Sequence, residues 1–289
     1  YVERDVSWMY FNHRILQEAQ KPNVPLLEKL SFLGIYSNNL DEFFRVRVAS
    51  LNRLADSRNI SDHNRKTIKH TIKTINKLNE EYSLEYTETT HQVFRLLEEH
   101  HIRLIDEKQL NGEQKEYLKQ LYYDKLNGST NPIWLSAIDD LNTLEDNRIY
   151  LVVKKTHEED KKVKYAIIKV PDRVFGRFLK LPASEGYDNI IYLDDVIRYC
   201  LPLIFIGTKH STYEAYSFKF TKDAEMEVDN EGDYGTMEKI ALGVNSRKKG
   251  SPIRVIYDKE MPKEMQKKIL DRLNVKELDT SLAGGRYQN

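Results

Sequence analysis

A helical domain followed by a mixed α/β domain is the architecture this sequence predicts, and three observations predict it. Between about Asp62 and His100 there is no proline or glycine, and Ile68, Ile75, Tyr82 and Leu96 fall on a seven-residue repeat with Ile72, Tyr86 and Val93 in the companion positions. That is the pattern of a long helix packed along its partners. Past Ile105 the chain shifts to short β-branched and aromatic runs bounded by turn or charged residues, with helical patterns between them. Its 289 residues also suffice for two cores of ordinary size. The expected division is a helical bundle over 1–103 and an α/β domain over 104–289.

Ser7 is a good N-cap, and Trp8, Phe11, Ile15 and Ala19 follow at helical spacing, which predicts a first helix from Ser7 to about Gln20. Pro22 and Pro25 end it, and Pro25 suits the first turn of a second helix striped by Leu26, Leu27, Leu30 and Leu33. Ser37-Asn38-Asn39 comes next, then Asp41 and Glu42, then a second apolar run through Phe43, Phe44, Val46, Val48, Leu51 and Leu54. The spacing predicts a sharp polar corner between two helices. Asn39 with Glu42, or Asn38 with Asp41, would form its capping pair, leaving the other amide free for structure or for a ligand. Asp56 to Asn59 reads as a loop before the long helix, whose repeat Asn79, Thr89 and His100 interrupt. Such interruptions favour a seam inside a bundle over a free rod.

Leu110 to Leu126 predicts one more helix, stopped by Asn127-Gly128. Strands are expected at Ile149–Lys155, Val163–Val170, Ile190–Leu193, Tyr216–Thr221 and Ile253–Tyr257, around one sheet whose sense the spacing leaves open. Helices are expected at Asp194–Ile206, around Thr236–Leu242 and at Lys263–Leu273, with exposed loops at Asp229–Gly235 and Ser246–Ser251.

Forty-five basic and 45 acidic side chains balance, so neither a nucleic-acid coat nor an acidic partner is indicated, and any anion site must be local. The lone Cys200, in an apolar setting, allows no internal disulfide, fits a reducing compartment and reads as an inert buried thiol. No run reaches the ~18 apolar residues of a membrane span. Phosphate loops, dinucleotide fingerprints and zinc-protease or serine-hydrolase motifs are missing. His100-His101 is the close histidine pair, but neighbours on a helix diverge, so a shared metal is not expected. Asp194-Asp195 precedes an apolar helical run and reads as helix capping rather than catalysis. Arg45, Arg47 and Arg53 could face a phosphate, although pairing with neighbouring acids is the plainer reading. Arg286, after two glycines, is a weaker anion candidate. The chain opens at Tyr1 without methionine and stops just past Gly284-Gly285-Arg286-Tyr287, so a piece of something longer is expected.

V-S-W-M-Y-F-N-H-R-I-L-Q-E-A from Val6, V-P-L-L-E-K-L-S-F-L-G-I-Y-S-N-N-L-D-E-F-F-R-V-R-V-A from Val24 and the terminal G-G-R-Y-Q-N resemble the polyphosphate kinase 1 family, and weaker matches run between. The resemblance implies a phosphotransferase that moves the terminal phosphate of ATP onto polyphosphate, reversibly and with Mg²⁺. It also implies a helical N-terminal domain, a head domain and two further phospholipase-D-like domains, of which this sequence resembles the first two. The family's catalytic histidines and metal site belong to the other two. None of the eight histidines here matches those motifs, so no catalytic residue and no metal ligand is carried over.

The residue the resemblance does transfer is Asn39, as a contact to the ATP base. Asn38 would then cap, and Leu40 or Phe43 would wall the base. Gln288 stands where many relatives have histidine, a position with no assigned catalytic role. The resemblance further implies a homo-oligomer, dimer or tetramer, joined through the head, in the cytoplasm or peripheral to the inner membrane face. On this reading the present stretch orients the nucleotide and is inactive alone. The alternative is a non-catalytic assembly module; a nucleic-acid binder is not expected.

Overall fold

In the computed structural model we describe residues 3–206, 210–223, 252–275 and 280–287. The loops expected at Asp229–Gly235 and Ser246–Ser251, the helix expected around Thr236–Leu242, and Gln288 lie outside the described residues. The chain is a helical bundle with one long helix, followed by mixed sheets and helices, as the sequence predicts.

Helix α1 spans Arg4–Gln20. Its cap is Glu3 and not Ser7: the Glu3 carboxylate accepts from the backbone N–H groups of Asp5 (2.8 Å) and Val6 (3.1 Å), which starts the helix early and leaves Ser7 inside it. Helix α2, Leu26–Phe43, runs without a break through Ser37-Asn38-Asn39. The expected corner and its capping pair do not form. Leu33, Tyr36, Leu40 and Phe43 carry one buried stripe across the polar triplet, and burying it outweighs the weak preference of asparagine for a cap. The backbone irregularity comes later, as a π turn over Phe44–Val48, and helix α3, Ala49–Asp56, follows. Helix α4, Asp62–Glu99, is 38 residues long and is capped by Ser61. Ile72, Ile75, Tyr82 and Val93 bury its seam against Met9, Leu16, Leu33 and Phe44, so it lies within a bundle.

Strand β1 is Ile102–Ile105. Helix α5, Gly112–Leu121, opens on a reciprocal Asn111–Gln114 capping box and continues as a π turn over Tyr122–Leu126. There follow β2 (Ile133–Trp134), β3 (Ile149–His157), β4 (Val163–Lys169), α6 (Asp172–Phe175), β5 (Phe178–Lys180) and β6 (Asp188–Tyr192). The rest is α7 (Leu193–Ile204), β7 (Ser211–Lys222), β8 (Pro252–Asp258), α8 (Lys263–Leu273) and β9 (Thr280–Gly284).

The strands form two sheets where one was expected. The smaller has the order β1-β6-β5, with β1 parallel and β5 antiparallel to β6. The larger has the order β2-β4-β3-β7-β8-β9, antiparallel except for the parallel pair β8–β9. Strands of four and three residues, β1 and β5, are too short to show a period-2 pattern. Of the small sheet, the spacing reveals β6 alone.

Strand β3 is buried on both faces, which explains its unbroken run Ile149–Val153. Leu151 and Val153 pack with Leu118 and Cys200, whereas Tyr150 and Val152 pack with Met265 and Ile269 of α8.

Two features tie the bundle to the large sheet. Ile253 of β8 packs in the helical core. Asp41 of α2 accepts from Lys219 Nζ of β7 on Oδ2 and from Arg254 Nη1 of β8 on Oδ1, all three side chains being buried. Burial depresses the pKa of both cations, and Asp41 offsets this in part.

Replacing Asp41 by alanine leaves two buried cations without that carboxylate and should cost about 3–5 kcal/mol in urea unfolding. Glu81→Ala, which removes an exposed helical pair with Lys77, should hardly move the same curve. Burial pushes the Cys200 thiol up to about 12, so a thiol reagent at pH 8 should label it after denaturation and not before.

Candidate functional site

Helices α1 and α2 meet as an antiparallel hairpin, so residues early in α1 face residues late in α2. Three contacts form a ladder from α1 to α2 and the π turn that follows it. Arg47 donates to both oxygens of Asp5 (Nε–Oδ1 2.9 Å, Nη2–Oδ2 3.2 Å). The Trp8 and Phe43 rings stack 4.0 Å apart and parallel to within 1°. Asn39 Nδ2 donates to Asn12 Oδ1 at 3.2 Å.

The third rung has a determined orientation. Asn12 is buried, and its Nδ2 donates to the Tyr36 carbonyl at 3.2 Å. A carbonyl only accepts, so Asn12 must turn its nitrogen there and its oxygen to Asn39. Asn39 must therefore donate, and its Oδ1 is left without a partner among the described residues. The wall expected from Leu40 or Phe43 is not available. Both are buried, and the face of Phe43 is covered by Trp8.

Asn38 caps nothing, because the helix continues through it; it is exposed on the rim of a cleft. The arginines weighed as a phosphate face have acidic partners instead: Arg45 pairs with Glu42, Arg47 with Asp5 and Arg53 with Asp223. Asp194 and Asp195 lie in the first turn of α7, but the N-cap is Tyr192 and neither makes the expected cap. Both are fully buried and partnered instead. Asp194 takes two bonds of 3.1 Å from Arg177, and burial raises its pKa. Asp195 accepts from Arg198 (2.6 Å), Arg286 (2.9 Å) and the Tyr287 hydroxyl (2.6 Å). Burial acts to raise its pKa, but Arg198 and Arg286 outweigh that and hold it low.

Arg286, also paired with Glu107, is thus matched by two carboxylates rather than open to an anion. Among the described residues no group of three His, Cys, Asp or Glu could hold a metal ion. The buried carboxylates Asp41, Asp194 and Asp195 are taken by lysine and arginine, so a magnesium ion finds no donor set there.

A cavity of about 220 Å³ opens between α2, α4 and the large sheet, with Tyr36, Asn79 and Arg254 in its lining. A second space, of about 440 Å³, adjoins it and shares Ser37, Tyr86 and Leu104 with it. Sequence reasoning missed this cleft. The one trace of it in the sequence is Asn79, a polar residue breaking the repeat of the long helix.

The model of the polyphosphate kinase N-terminal domain matches residues 1–105, and that of the polyphosphate kinase middle domain matches residues 113–289. The chain belongs to the polyphosphate kinase family. It is 35% identical to the polyphosphate kinase of Vibrio parahaemolyticus and 33% identical to that of Escherichia coli K12, in each case over the whole of this chain and 42% of the relative. The crystal structure of polyphosphate kinase from Porphyromonas gingivalis aligns with a TM-score of 0.77 at 26% identity, covering 99% of this chain and 39% of that one. The chain therefore spans about two-fifths of the length of the relatives it matches.

Asn12→Asp keeps the shape of the third rung but sets a carboxylate against the Tyr36 carbonyl. It should lower stability by roughly 1–3 kcal/mol, read as a fall in the melting temperature.

Proposed function

We propose that this chain is the nucleotide-orienting part of a polyphosphate kinase. The whole enzyme would transfer the terminal phosphate of ATP to polyphosphate, reversibly and with magnesium, through a phosphohistidine outside these residues. Residues 1–103 would form its helical domain and 104–289 its head, which would join the subunits of a homo-oligomer. No described helix is long and apolar enough to cross a membrane, and the reading places the enzyme in the cytoplasm, free or at the inner membrane face.

One observation carries the role of Asn39. Its nitrogen is held by Asn12, so its free oxygen is an acceptor in a set orientation. At position 6 adenine offers an amino donor and guanine a carbonyl acceptor, so an acceptor set against that position favours adenine. Phosphoryl transfer depends on positioning and on cancelling charge. With Arg45, Arg47 and Arg53 each already paired to an acid, this face supports positioning of the base more than charge cancellation.

In the whole enzyme, Asn39→Ala should raise the KM for ATP with little change in kcat, by the roughly 1–3 kcal/mol of one or two base hydrogen bonds. Asn39→Asp keeps an acceptor but loses the N–H that Asn12 Oδ1 holds, so the orientation is lost and the preference for ATP over GTP should fall. An unchanged KM with native melting would leave Asn39 a purely structural rung. The 289 residues alone, given ATP and magnesium, should form neither polymer nor phosphohistidine; appearance of either would place the chemistry here.

A further inference from the structure

Among the buried polar residues of helix α4, Asn79 and Thr89 stand on its apolar repeat, and the fold treats them differently. The Thr89 hydroxyl donates to the Glu85 carbonyl (2.8 Å) and accepts from Gln20 Nε2 (3.0 Å). Asn79 is 1% exposed, and neither its Nδ2 nor its Oδ1 has a partner among the described residues. An amide buried in this way loses the hydrogen bonds that its NH2 and its C=O make to water, which a fold rarely leaves uncompensated.

The same cavity gathers two more such atoms. Tyr36, 2% exposed, has an unpartnered hydroxyl, and Arg254, 5% exposed, has an unpartnered Nε. Tyr36 and Arg254 line the same cavity. All three side chains line the space between α2, α4 and β8.

The rest of the lining is largely apolar and aromatic, including Leu40, Tyr86, Phe94 and Tyr192. With the adjoining space it falls in the roughly 300–1,000 Å³ range of small-molecule sites. A bare oxyanion fits poorly, because the Asn79 carbonyl needs a donor and the walls need apolar faces. Water alone would leave those walls poorly covered. A planar heterocycle with a donor and an acceptor on one edge satisfies the amide and stacks on the aromatics, and an attached anionic group satisfies Arg254 and Tyr36.

We propose that this cavity binds a purine nucleotide, with the base edge on Asn79 and the phosphate toward Arg254 and Tyr36, at a site separate from Asn39. Asn39 belongs to the α1-facing side of α2, whereas Tyr36 and Leu40 face the cavity. Occupancy would fasten the bundle to the sheet, because Asn79 and Tyr36 belong to one and Arg254 to the other. The site stands on these orphaned atoms and not on the reading given to Asn39.

Isothermal titration of the purified protein with AMP and with GMP tests this. At least one should bind saturably, and Asn79→Leu should weaken that binding by roughly tenfold or more, the loss of about one good hydrogen bond. The leucine replaces an unpaired amide in an apolar seam, so the melting temperature should hold or rise; Tyr36→Phe, a smaller change, should also weaken binding. Asn39→Ala should leave it intact. No saturable binding into the millimolar range, binding indifferent to Asn79→Leu, or binding lost with Asn39→Ala would each overturn the proposal.

Discussion

Asp41 clamped between Lys219 and Arg254 is the contact on which the arrangement of this molecule depends. The carboxylate comes from α2 and the cations from β7 and β8, 178 and 213 residues further along. Inside a protein such charges attract strongly when paired and are very costly when separated. The register of α2 against the sheet is set by that asymmetry. Because Tyr36, Asn39 and Asp41 share α2, fixing one places the others: Asn39 toward α1, and Tyr36 toward the space beneath Arg254.

The α1–α2 ladder is the local counterpart of that long-range clamp. An aromatic stack and an amide pair tie turns of α1 to turns of α2, and an ion pair ties α1 to the π turn after it. The orientation of the last rung follows from a single acceptor, the Tyr36 carbonyl. Its consequence is chemical: an amide that could donate or accept is reduced to an acceptor. On the proposed reading, a directional acceptor on a rigid helix pair is a suitable device for orienting a purine base.

Much of the architecture was legible in the sequence, because periodic patterns are local. The long helix α4 follows from a seven-residue repeat without proline or glycine, and β3, β4 and α8 from runs that their packing makes apolar. The short strands β1 and β5 were not legible, since three or four residues carry no period. The asparagine triplet misled for a related reason: Ser37-Asn38-Asn39 has the composition of a helix start, but the stripe from Leu33 to Phe43 spans it, and tertiary burial overrides a capping preference of about 1 kcal/mol. Asp194 and Asp195 repeat the lesson. Their place at a helix start was foreseeable, while their partners Arg177, Arg198 and Arg286 were not.

By itself, then, the sequence determined the order and type of the larger elements and, through motifs shared with a family, singled out Asn39. Tertiary structure alone decided which way that amide faces, which arginines are already neutralised, and that the Asn79 amide, the Tyr36 hydroxyl and Arg254 Nε line one cavity without partners among the described residues. The reason is physical: helical and strand periods are written in neighbouring residues, whereas a hydrogen bond met or left unmet depends on what the fold brings from far along the chain.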